Sequence, residues 1–369
     1  MPIPAFAFAI SFAMPVLIGL GAAYGGWWLV GAPLYGWLVT SLADRVVGAN
    51  NNNADPNTPD DRLIWHRVVT WAYVPLQIAA IAGALYAVSL PDHLVWWEAM
   101  ILMMGLGIAT GGIGITYAHE LIHQKSWWER ALGEVLLASV CYSPFTSEHL
   151  YNHHRYVGTP RDPVTARYNE GFWRFFPRAV VGTFASAWHI DHAHLRARGI
   201  SPWSIRNPWW RYALSSGVFL AYAVAMGGWY TLLLYLQQCY TAIQQLEAVN
   251  YVEHYGLTRK HLGDGKYEHT KPHHSWNGAQ HMTNLYLINL QRHSDHHYKP
   301  DRRYPLLQTY DPEVAPQLPY GYPVMVFAAL FPPAWFRMMN KRVKAWRRLH
   351  YPEITDWLPY KHGKTPMPR

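Results

Sequence analysis

No charged residue occurs before Asp44. A helix crossing the hydrocarbon core of a bilayer needs about 20 consecutive apolar residues, so this opening stretch is long enough for two. Pro15 and the Gly25-Gly26 pair interrupt it, which places the expected spans at 4–23 and 27–43. A cleaved leader fits less well, because no basic residue precedes the first apolar segment and a second follows at once. Further uncharged runs cover 68–91, 99–118 and 212–246, the last broken by Gly227-Gly228. They give expected spans at 68–90, 99–118, 212–228 and 230–250. Glycines 105, 107, 111, 112 and 114 crowd one of these, a density that points to close helix packing. The expected fold is a single-domain, all-α integral membrane protein with six transmembrane helices in three tight hairpins. Only 15% of the residues are charged, against about a quarter in soluble domains.

Orientation follows from the basic residues. The hairpin tips near 24–26, 91–98 and 226–230 hold no Lys or Arg; all 31 lie on the other side. By the positive-inside rule that side, with both termini and the segments 44–67, 119–211 and 251–369, is cytoplasmic. The net charge of +8 and pI near 9.3 are then loop charge flanking spans, and no nucleic-acid motif accompanies them. Tyr320–Phe336 is apolar but carries Pro323, Pro332 and Pro333, so it is expected to be interfacial or re-entrant rather than a seventh span. Two cysteines, Cys141 and Cys239, are too few for a disulfide framework or an iron–sulfur cluster.

Eight histidines fall in three compact groups on the cytoplasmic side. His119 and His123 sit four apart in His119-Glu120-Leu121-Ile122-His123, on one helical face. His149 and His153 share a face in the second group, and His154 reaches the same region from the next position. The third group gathers His293, His296 and His297. A ninth, His254, ends the sixth expected span. Imidazole suits zinc, iron, copper and nickel. Nine candidates exceed one coordination sphere and suit two ions with four or five nitrogens each. His273, His274 and His281, with Glu120, Glu253 and Asp295, are expected to hold ligand rings in one tautomer. His189, His192 and His194 are expected on the solvated surface.

The first group also satisfies the H-E-x-x-H pattern of zinc proteases, but that reading leaves six clustered histidines unexplained. A metal transporter would place its ligands near the midplane, not at cytoplasmic helix ends. A di-iron site accounts for more of the residues than either.

The three groups resemble the histidine boxes of the integral-membrane di-iron desaturases and hydroxylases. In finer wording, His-Glu-Leu-Ile-His-Gln, Glu-His-Leu-Tyr-Asn-His-His-Arg, Asn-Tyr-Val-Glu-His-Tyr-Gly-Leu, Lys-Pro-His-His-Ser-Trp-Asn and Leu-Gln-Arg-His-Ser-Asp-His-His together resemble the membrane-bound alkane 1-monooxygenases. The likeness runs from about residue 100 to 325. It implies that His119, His123, His149, His153, His154, His254, His293, His296 and His297 ligate two non-haem irons on the cytoplasmic side of six helices. It further implies hydroxylation of the terminal carbon of medium-chain n-alkanes with O₂, in a bacterial inner membrane. The electrons would come from rubredoxin, separate or fused, fed by an NAD(P)H-dependent reductase. Two non-ligand positions depart from the family pattern, Asn152 and Ile122, where glycine is usual.

Overall fold

The computed structural model describes residues 2–264 and 266–357; the last twelve residues of the expected cytoplasmic segment 251–369 lie outside it. Nearly all regular structure is helical, as the long apolar runs require, apart from one short β-hairpin, β1 (His261–Gly263) with β2 (Lys266–Tyr267). Among the described residues, four helices are long and apolar enough to cross a membrane: α1 (Ala5–Tyr24), α3 (Asp60–Ser89), α4 (Trp96–Ile122) and α8 (Pro208–His254). Between the first two, residues 26–47 form α2, a helix that mixes 3₁₀, α and π turns. The chain reverses between α1 and α2 at Gly25 and Gly26, both at positive φ, a conformation that glycine adopts without the usual Cβ penalty.

The 47 residues of α8 would span about 70 Å if straight, more than twice the core of a bilayer. They do not run straight. Gly227 (φ −170°, ψ 30°) and Gly228 (φ 66°, ψ −140°) break the helix, and the Thr231 hydroxyl donates to the Ala223 carbonyl at 2.6 Å. Eight residues of continuous helix would hold those groups about 12 Å apart, so the chain turns back on itself here.

Exposed aromatics mark the three turns: Trp27 and Trp28, Trp96 and Trp97, Trp229 and Tyr230. This is the belt position that tryptophan prefers at a membrane surface. Between the turns and the histidines, the outward faces carry exposed Leu38, Val39, Leu214, Val218 and Leu233.

Glycines set how closely the helices approach. A Cβ on Gly107 would lie 2.5 Å from that of Thr241, and one on Gly111 2.4 Å from the Ala242 carbonyl oxygen, so α4 and α8 touch backbone to backbone. Helix α5 (Trp127–Ala138) folds back along α4, its Gly133 against the Ala118 carbonyl and Ile122. The side chain of Ile122, one of the two departures noted above, fills the space that Gly133 leaves. At the tip of this return, Ser139 accepts from Gln77 Nε2 at 2.8 Å, and its carbonyl accepts from the Tyr235 hydroxyl at 2.7 Å. The segment therefore reaches the middle of α3 and the second limb of α8, a depth that its sequence position beyond the fourth apolar run does not disclose.

Helix α6 (145–156) and helix α7 (Phe172–Ala197) follow, then two short helices, α9 (His281–Tyr286) and α10 (His293–Tyr298). Helices α11 (Tyr322–Ala329) and α12 (Pro332–His350) are the last among the described residues, and the Tyr320–Phe336 stretch is accordingly divided between two helices that meet near Phe331. Trp335 of α12 packs on Tyr251 and Tyr255, covering the chain on either side of His254.

Candidate metal centre

Four helices carry the nine histidines to one place. His119 lies in the last turn of α4 and His123 follows the helix; α6 brings His149, His153 and His154; His254 ends α8; α10 brings His293, His296 and His297. Their ligand atoms gather in two groups, His119, His123, His149, His154 and His296 in one, and His153, His254, His293 and His297 in the other. All are buried except His123 and His154, which are half-buried.

The grouping differs from the expected pairing in α6. His149 and His153 do not act together; His149 joins His154, five residues on. The reason is a π-helical turn over His149–His153. A π turn closes at i,i+5, so it aligns His149 with His154 and turns His153 to the other side. In α10 the four-residue pair, His293 and His297, stays together while His296 joins the group of five. Each adjacent pair, His153-His154 and His296-His297, thus straddles both groups.

The donor atoms have the geometry of coordination edges. The Nε2 atoms of His123, His149 and His154 form a near-equilateral triangle with sides of 3.0, 3.1 and 3.2 Å. His296 Nε2 adds a contact of 3.1 Å to His154. In the other group, His297 lies 3.0 Å from His293 and 3.2 Å from His153, and His293 3.2 Å from His254, again between Nε2 atoms. Three lone-pair nitrogens in a triangle cannot all hydrogen-bond one another. A cation with bonds of about 2.1 Å to imidazole nitrogen gives just such edges, so the donor set fits a pair of metal ions. His119 Nε2 is buried without a partner among the described residues, as a waiting donor would be.

The charge state of six of the nine agrees. Burial, reinforced by neighbouring imidazoles, pushes His149, His154, His293, His296 and His297 well below their ordinary value and His123 down to about 3. Neutral imidazole is the ligand form. Burial also pushes down on His153, but the charge of Asp162 and the hydrogen bond to it outweigh that and leave it raised. Burial and the nearby Asp162 carry Glu148 up to about 8.

The groups behind the ligands are mostly not those expected. Asp162 Oδ2 receives His153 Nδ1 at 2.9 Å and also accepts from the Thr165 hydroxyl. It sits in a Pro-flanked turn without periodic pattern, so the sequence offered no signal for it. Glu120 instead accepts from Gln124, and Asp295 is taken by Arg302, Tyr310 and the Gln308 amide. Glu253 does approach a candidate ligand, but at its donor side: Oε2 is 3.1 Å from His293 Nε2, while Oε1 accepts from Tyr322. His281 faces Asn50, and His273 and His274 face Tyr351 and Glu268. His192, expected on the surface, is buried against the Trp188 carbonyl and Asn207. Asn152 donates to Glu148 and to the Arg161 carbonyl, contacts that a glycine there would lack.

Two cavities meet the centre. One touches His119, His149 and His293 and is otherwise walled chiefly by Ile115, Phe145, Leu246 and Leu290. The other is polar, reaches His123, and is ringed by Asp60, Arg67, Lys125, Glu129, Asp301 and Arg303.

Comparison with known proteins matches this arrangement to named relatives. The fatty acid desaturase family pattern covers residues 94–329, which include all nine histidines. Alkane 1-monooxygenase 2 of Pseudomonas aeruginosa is 38% identical over 91% of this chain and 92% of its own length. Alkane 1-monooxygenase 1 of Alcanivorax borkumensis is 39% identical over 83% of this chain and 75% of its own. The hydroxylase component of xylene/toluene monooxygenase from Pseudomonas putida is more distant, at 27% over 69% and 64%. On the strength of that identity over most of its length, the chain belongs to the alkane 1-monooxygenase family, within the wider fatty acid desaturase family.

Proposed function

We infer that this protein hydroxylates the terminal carbon of medium-chain n-alkanes to 1-alkanols, using O₂ and two electrons from reduced rubredoxin. The observation that carries the reading is the convergence of nine imidazoles into a set of five and a set of four beside an apolar cavity. Those nine side chains are the proposed ligands of two irons. An unactivated methyl group offers no acid, electrophile or hydrolysable bond. Bound iron supplies what side chains cannot, the redox chemistry that activates O₂.

The protein's own part is to hold, orient and exclude. Asp162 fixes the ring of His153 and the tautomer that leaves Nε2 facing inward. Ile115, Phe145, Leu246 and Leu290 keep the substrate side of the centre dry and give an alkyl chain its only source of affinity, apolar burial. A substrate dissolved in the bilayer enters end-first, so the choice of terminal carbon is steric. On the polar side, the recess at His123 gives water and protons a separate approach. The reading places six spans and both termini on the pattern of the basic residues, in a bacterial inner membrane. Rubredoxin, fed by an NAD(P)H-dependent reductase, meets the basic cytoplasmic face, where opposite charge would speed its encounter.

The test is purification in detergent, elemental analysis, and turnover of octane with reduced rubredoxin, with products resolved by gas chromatography. About two irons per chain, matching the two groups, and formation of 1-octanol are expected. One zinc without iron, or no alcohol from any alkane, overturns the reading.

A further inference from the structure

The geometry points to Gly112 as the gauge that limits how long an alkane the site accepts. This rests on the alkane reading above and adds to it the residue that decides chain length. Beyond the cavity at His119 lies another apolar one, bordered by Gly36, Trp37, Ile108, Tyr286 and Val326. The two cavities share Gly112 and Val249 as walls, so a chain whose head lies against the imidazoles passes between these two residues to extend its tail.

Gly112 differs from the glycines around it. A Cβ at Gly107, Gly111 or Gly114 would lie 2.5 Å from the Thr241 Cβ, 2.4 Å from the Ala242 carbonyl oxygen or 2.0 Å from Gln77 Oε1. Those three let neighbouring groups approach. At Gly112 nothing lies within 4 Å, so no neighbour requires the missing side chain. Glycine within a helix costs about 1 kcal/mol relative to alanine, and here that cost secures no contact. What it leaves is open space at the junction of the two cavities. The residue also stands in the π-helical turn Thr110–Gly114, a local widening of the kind often found at functional sites.

The experiment compares wild type with Gly112→Ala, Gly112→Leu and Val249→Ala, each reconstituted with reduced rubredoxin and offered n-alkanes of increasing length. Iron content and melting temperature are recorded for every variant. A methylene-sized change in an apolar pocket alters discrimination by roughly 10–200-fold. Gly112→Leu should therefore lower the ratio of long-chain to short-chain turnover by about tenfold or more, with Gly112→Ala between it and wild type. Val249→Ala should shift the profile toward longer chains. An unchanged length profile in Gly112→Ala and Gly112→Leu with normal iron and melting temperature overturns the gauge. So does a loss equal at all lengths in both. Absence of alkane oxidation by the wild type refutes the functional reading itself, and the gauge with it.

Discussion

His153 Nδ1 lies 2.9 Å from Asp162 Oδ2, with both side chains out of contact with solvent. That contact holds the imidazole in the tautomer whose other nitrogen faces His297. Asp162→Asn keeps the shape and removes the charge. Loss of such a partner lowers metal affinity by about 10–100-fold, and competition with a chelator, followed by iron analysis, should show that weakening.

Removing one imidazole should empty one site. His254→Ala and His297→Ala act on the group of four, His119→Ala and His149→Ala on the group of five. Each should lower iron from about two toward about one per chain, given the two separate groups. Two irons retained with full activity in any of these variants would remove that histidine from the proposed ligand set.

Glu129 is fully buried and receives Arg67, Arg303 and the Trp71 indole at 3.1–3.4 Å, tying α3 and α5 to the segment after α10. Glu129→Ala would leave two guanidinium groups without their shared partner. Breaking a buried pair from one side costs about 3 kcal/mol or more. A clear fall in melting temperature is expected, larger than that for Glu134→Ala, whose partner Arg211 is mostly exposed.

Acid should loosen the chain behind α12. Burial pushes His273 down to about 3 and His274 down to about 4. A folded-state value below the ordinary 6.5 means that the unfolded chain binds protons more readily, so stability falls as pH drops below that value. Burial alone would raise Glu268, but hydrogen bonds from His274, Tyr351 and the Lys260 amide hold it below its ordinary 4.5. Its contribution is present above that value and lost below it. Melting temperature should decline from pH 7 to pH 4, and Glu268→Gln should flatten the part below pH 5.

The long apolar runs and the two i,i+4 histidine pairs, His119 with His123 and His293 with His297, were legible because helical periodicity ties sequence spacing to a shared face. The division between the two groups was not. It depends on a π turn at His149–His153, and one extra residue in a turn changes which histidines align without altering composition or hydropathy. Asp162 was hidden for a related reason: a turn residue meets its partner through tertiary folding, and spacing records only neighbours along one element. The density of glycine in α4 announced close packing correctly for Gly107 and Gly111, but the residue type is the same at half-buried Gly112, where the structure leaves open space.

His153-His154 and His296-His297 each send neighbouring side chains to different groups. The interval between the two proposed ions is therefore set by single backbone steps on α6 and α10. Substitution at these positions can vacate a site, yet it has little power to relocate one. Evolution of such a centre would proceed by reshaping what surrounds it, with the spacing itself inherited as a fixed ruler.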